Sequence, residues 1–98
     1  MTTTNAILAV MRSHKSQLAA LGVRRIGLFG SYARNEQQLQ SDIDILVDFE
    51  PEQETFDNLM NLCDYLEELF AGEKIEVVTV NGLSPYIGPH VLDEVMYV

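Results

Sequence analysis

Ninety-eight residues at 11.0 kDa suffice for one small domain, taken as residues 1–98, and are too few for a site built between two domains. Hydrophobic residues make up 47% of the chain and charged residues 21%, near the averages of folded globular domains, which argues against disorder, collagen-like repeats and coiled coils. Six Lys and Arg against fifteen Asp and Glu give a formal net charge of −9 and a pI near 4.4; a phosphate backbone is repelled, so the expected counterparts are divalent cations or a basic protein, with no direct nucleic-acid binding.

In chain order, residues Met1–Asn5 lack the basic and apolar regions of a leader. No apolar run approaches the roughly 20 residues that cross a bilayer, so no membrane segment is expected. With the single cysteine Cys63, which fits a reducing compartment, this reads as a cytoplasmic chain. Thr4 is a candidate N-cap for a first helix whose apolar residues Ile7, Leu8, Met11, Leu18 and Leu21 recur until Gly22. Val23–Phe29 reads as a strand that becomes buried toward Gly30. Residues 31–41 open with room for one helical turn and continue as a polar loop, and Asp42–Phe49 reads as a second strand closed by Pro51. Thr55 caps a predicted helix with an apolar stripe of Phe56, Leu59, Leu62, Cys63, Leu66, Leu69 and Phe70, ending at Gly72. Ile75–Val80 is a third strand, Ser84-Pro85 resembles a helix start, and Pro89–Val95 a short helical segment before the tail. Helices alternating with strands predict an α/β (α+β) domain. The connection between the first two strands is short for a parallel crossover, so the sheet is expected to be small and mixed, with helices packed on it.

Asp42 and Asp44 lie two apart at the start of a strand, which places both carboxylates on one face with Cα atoms roughly 7 Å apart at about 3.3 Å per residue. Unpaired, they repel; a hard divalent cation neutralises both. An isolated D-x-D is more often a solvated strand edge, and both readings stand on the dyad alone. Glu76 shares a face with Val78 and Val80, predicted to be packed, where a carboxylate needs a partner, as a third metal ligand or as a base for an attacking hydroxyl; it reads equally as a solvated strand end pairing with Lys74 or an arginine. The turn Gly30-Ser31-Tyr32-Ala33-Arg34 follows a buried strand directly. There Gly30 permits close approach of a ligand, Ser31 can donate to a phosphate oxygen, and Arg34 can neutralise triphosphate charge. The turn lacks the lysine and spacing of a P-loop, and Gly27-x-x-Gly30 is not a dinucleotide fingerprint.

Ten residues separate Ser31 from Asp42, giving G-S-x10-D-x-D. This pattern resembles the DNA polymerase β-like nucleotidyltransferase superfamily. Gly30-Ser31-Tyr32-Ala33-Arg34 with Ser41-Asp42-Ile43-Asp44-Ile45-Leu46-Val47 is similar, more closely, to the minimal nucleotidyltransferases, the MntA-type antitoxins of HEPN/MNT toxin-antitoxin pairs. The resemblance spans nearly the whole chain. It implies the nucleotidyltransferase fold, a glycine-serine turn holding ATP, and two Mg²⁺ ions held by Asp42, Asp44 and Glu76, the last standing where the family usually carries aspartate. It further implies transfer of AMP to a tyrosine of a cognate HEPN ribonuclease toxin, within a hetero-oligomer. Eighteen residues follow Val80, so the acceptor hydroxyl is expected to come from a partner. The acidic residues Asp48, Glu50, Glu52, Glu54 and Asp57 are expected to be exposed, either as a docking surface for a basic partner or as a solvated loop. Two further readings are a non-catalytic antitoxin acting by occlusion, for which the Glu76 departure leaves room, and a small-molecule nucleotidyltransferase. His14 and His90 read as structural or exposed, Tyr32 as a loop packing residue rather than an acceptor and Cys63 as core, while Arg24 and Arg25 read as solvated or as contacts to nucleotide or partner.

Overall fold

The computed structural model describes residues 3–98; Met1 and Thr2, part of the stretch read for a leader and of the 1–98 domain, lie outside the described residues. The chain opens with two short helices, α1 (Thr4–Ser13) and α2 (Lys15–Ala20), in place of the single predicted one. His14 causes the break. Its ring Nδ1 takes the Val10 carbonyl at 2.8 Å, so the His14 amide turns to Met11 at 3.1 Å and the helix tightens and ends. The N-cap is Thr3, whose hydroxyl accepts from the Ala6 amide at 3.1 Å. Thr4, the predicted cap, instead donates to the Tyr32 carbonyl at 2.6 Å and ties the first helical turn to the loop after the first strand.

The strands are β1 (Val23–Phe29), β2 (Ile43–Phe49), β3 (Ile75–Thr79) and β4 (Met96–Tyr97), ordered β3-β2-β1-β4 in one sheet. β1 pairs antiparallel with β2 and with β4, whereas β2 and β3 are parallel. The sheet is mixed, as the connection lengths predict. The parallel pair is joined by α3 (Phe56–Leu69), the long crossover such a pair requires. Thr55 caps α3 by accepting from the Asn58 amide at 3.1 Å. Leu62 and Leu66 are fully buried, but Phe56, placed in the predicted stripe, is 75% exposed and Cys63 is only half-buried. After β3 the chain forms a 3₁₀ turn over Val80–Gly82. Ser84 begins a turn rather than a helix, its carbonyl accepting from the Gly88 amide at 2.8 Å. The last helix, α4 (Gly88–Glu94), carries Pro89 in its first turn, and the tail becomes β4.

Alternation along β2 divides the molecule. Ile43, Ile45, Val47 and Phe49 face the helices and pack with Ile7, Met11, Leu18, Leu62 and Leu66 into one core. Asp44, Leu46 and Asp48 therefore share the opposite face. Among the described residues, no helix is long and apolar enough to cross a membrane.

Candidate nucleotide and metal site

The antiparallel register sets Phe29, the last residue of β1, against Asp44, near the start of β2. The turn that follows begins beside that carboxylate. Gly30 adopts a φ of +77°, a region that favours glycine, and a Cβ there would overlap the Asp44 carboxylate atom Oδ2. The turn is closed by amide-to-carbonyl bonds from Arg34 to Gly30 at 3.1 Å, from Asn35 to Tyr32 at 3.2 Å and from Glu36 to Ser31 at 2.8 Å. Tyr32, 1% exposed, anchors it in the core, which matches its reading as a packing residue. Ser31 is half-buried in this turn, directly after Gly30.

The parallel register places Glu76 beside Asp44 on the next strand, and Asp42 precedes β2 by one residue. The three carboxylates predicted as a set thus lie at one end of the sheet. Glu76 is exposed, however, and Val78 and Val80 are only partly buried, because β3 is an edge strand; the packed face expected around Glu76 is absent. The Asp44 carboxyl is pushed up to about 6 by burial first, and then by its hydrogen bond with Glu76 and by the charges of Glu76 and Asp42. Arg34 acts weakly the other way. Among the described residues, no three His, Cys, Asp or Glu side chains are gathered into a metal-holding cluster. As a donor set, these hard oxygens suit a Mg²⁺ ion, since a cation relieves the repulsion that adds to burial in raising Asp44.

Arg34 is held by two carboxylates. Its Nε donates to Glu36 at 3.1 Å and its Nη1 to both oxygens of Glu94, at 3.1 and 2.9 Å. These hydrogen bonds and charges, Glu36 first, favour the charged guanidinium further. Glu94, at the end of α4, also accepts from the Gly30 amide at 2.6 Å. Neither glutamate has a local motif, and Glu94 lies 64 positions from Gly30, so sequence spacing gave no signal for it.

Asp48 lies elsewhere than expected. It is 8% exposed rather than part of the acidic surface, while Glu50, Glu52, Glu54 and Asp57 are exposed as predicted. A register shift between Val23 and Arg25 inserts one extra residue into β1, so Arg24 and Arg25 both reach Asp48 Oδ2, at 2.6 and 3.0 Å. Burial raises the Asp48 carboxyl, but the two arginines outweigh it and hold it below its ordinary value. Arg25 also lies over the Tyr97 ring, 4.8 Å from its centroid. Both arginines stand at the start of β1, at the opposite end of that strand from Gly30, and belong to this structural pair rather than to the nucleotide turn.

The model of the nucleotidyltransferase domain family matches residues 11–98. The chain is 42% identical over 99 residues to the protein adenylyltransferase MntA of Thermococcus cleftensis, covering 100% of this chain and 98% of that protein. A solved structure assigned as a minimal nucleotidyltransferase superposes with a TM-score of 0.82 at 33% identity, over 97% of this chain and 95% of that one. The toxin-antitoxin MntA-HpeT structure shares the fold, with a TM-score of 0.64 at 20% identity over 98% of this chain and 71% of that one.

Proposed function

The chain belongs to the nucleotidyltransferase domain family, among its minimal MntA-type members, and from that premise we propose that it is an antitoxin that transfers AMP from ATP to a tyrosine hydroxyl of a cognate HEPN ribonuclease toxin. One observation carries the reading. The Gly30 turn and the Asp44 carboxylate are so close that even a methyl group at Gly30 would not fit between them, so a phosphate on the turn and a cation on the carboxylates would be neighbours. The adenylyltransferase name of the Thermococcus relative supports AMP as the group moved, and the toxin-antitoxin assembly of the more distant neighbour supports a protein acceptor. The setting is cytoplasmic, with residues 1–98 acting as one domain in a hetero-oligomer with the toxin.

In this mechanism Gly30, lacking a side chain, lets the triphosphate approach the turn closely, and the hydroxyl of Ser31 donates to a phosphate oxygen. Arg34 supplies positive charge at the edge of the turn, balanced by Glu36 and Glu94. Asp42, Asp44 and Glu76 would hold two Mg²⁺ ions, and bound ions would supply charge neutralisation for the triphosphate and the departing pyrophosphate. The tyrosine oxygen attacks the α-phosphorus in line, the bond to the bridging oxygen breaks, and pyrophosphate leaves. Glu76, whose exposure on the edge strand supports its reading as a base, would take the hydroxyl proton.

Incubating the purified chain with its cognate toxin, ATP and Mg²⁺, followed by peptide mapping, tests this. AMP on a toxin tyrosine is the expected result; an unmodified toxin, or AMP on another residue type, overturns it.

A further inference from the structure

The C-terminal segment reaches the nucleotide turn through a series of close contacts. At Gly27 a Cβ would meet Val95 Cγ2 at 2.7 Å and the Met96 carbonyl at 2.9 Å, so the absence of a side chain lets β4 cross tightly over β1. Gly27 and Leu28 pair with Tyr97 and Met96, and the Val98 amide donates to the Ile26 carbonyl at 3.0 Å. These contacts fix Glu94, two residues before β4, against the turn. Its carboxylate then satisfies the Gly30 amide and forks the Arg34 guanidinium. Charge-assisted bonds of this kind are the stronger and more directional ones. The bonds that close the turn do not use the amides of Ser31, Tyr32 or Ala33.

From this geometry we infer that Glu94 is a positioning residue of the nucleotide site: it locks the Gly30 amide and Arg34 so that Ser31 and the amides after it face the triphosphate. The role rests on the nucleotidyltransferase reading above. It makes the C-terminal strand part of the site's frame, although Glu94 itself touches no reacting atom.

Two readouts test it. In the unaltered chain, the Gly30 amide proton should resonate far downfield, as expected for a short bond to a carboxylate, and should stay there when AMP-PNP and Mg²⁺ are added. Glu94→Gln keeps an acceptor for Gly30 but loses the charged fork to Arg34. It should move that resonance upfield and weaken AMP-PNP binding about tenfold, as expected for one charged hydrogen-bond pair. Arg34→Gln should weaken binding by a similar factor, and the double variant should be no worse than the poorer single one. Unchanged or tighter binding by Glu94→Gln overturns the proposal, since it would mean that the carboxylate is idle or competes with the phosphates. Upfield movement of Gly30 in the unaltered chain on adding AMP-PNP overturns it as well, and this measurement stands even if the variant fails to fold. Failure of the unaltered chain to bind AMP-PNP at all would overturn the nucleotide reading, and the positioning role with it.

Discussion

Asp44 and Asp48 are the same residue type on the same strand, on the same face and four positions apart, yet they end in opposite electrostatic states. Asp48 receives two arginines because a bulge in β1 brings Arg24 and Arg25 opposite it, and its carboxyl is held low. Asp44 instead has Glu76 beside it on the next strand, and its carboxyl is pushed up to about 6, by burial first and then by Glu76 and Asp42. The strand alone does not decide which aspartate is structural. That depends on whether the neighbouring strand delivers cations or further carboxylates. A carboxylate left among its own kind is a cost to folding that a bound cation removes, and such perturbed groups mark sites of chemistry more often than of packing.

The largest expected contrast is functional. Replacing Asp42 and Asp44 together by alanine should reduce AMP transfer by about a thousandfold or more, the scale of losing metal-borne charge stabilisation. The same change should leave the thermal midpoint unchanged or raised without metal, because repulsion is relieved. A midpoint several degrees lower would mean that Asp44 is structural after all. Next in size, Gly30→Ala should cost about 2 kcal/mol for the left-handed backbone and abolish AMP-PNP binding through overlap with Asp44; denaturant titration and calorimetry check the two effects separately. Asp48→Ala should cost about 2 kcal/mol in denaturant unfolding, from a removed buried acceptor with half-exposed arginines left behind. It should leave AMP-PNP affinity unchanged, and an affinity change would dissolve the distinction between the two ends of β2.

The pH dependence separates the two aspartates by sign. Asp44 has a folded pKa of about 6 against an ordinary 3.8, so the native state binds the extra proton between them and the metal-free chain loses stability as pH rises through that window. Asp48 is depressed, so its pairing stabilises above the ordinary carboxylate range and is lost as pH falls below it. Thermal midpoints from pH 3 to 7, with EDTA or with Mg²⁺, should show the first slope only without metal and not at all in Asp44→Asn.

Much of this was legible in the sequence because its signals are local. The strand Val23–Phe29, the Thr55 cap and the G-S-x10-D-x-D spacing each depend on residues close together in the chain, and β1, α3 and the approach of the turn to Asp44 follow them. Most of the elements that escaped depend on distant partners, and one, the helix break, on a local competition that periodicity does not register. β4 exists because Gly27 leaves space for Val95 and Met96. The split at His14 comes from a side chain competing for a carbonyl that its own amide would otherwise use. The internalisation of Asp48 needs a bulge on another strand, and Glu94 reaches Gly30 only once the sheet has formed. Glu76 was placed correctly beside Asp44, but its exposure follows from β3 being an edge, which strand order decides and periodicity does not.

The most direct measurement is the intact mass of the cognate toxin after co-expression with this chain and, in parallel, with its Asp42→Ala/Asp44→Ala variant. A site formed by the Gly30 turn and the Asp44 carboxylates predicts a mass gain in whole AMP units with the unaltered chain only. A toxin that is neutralised and copurified but unmodified, or modified equally by the variant, would contradict it.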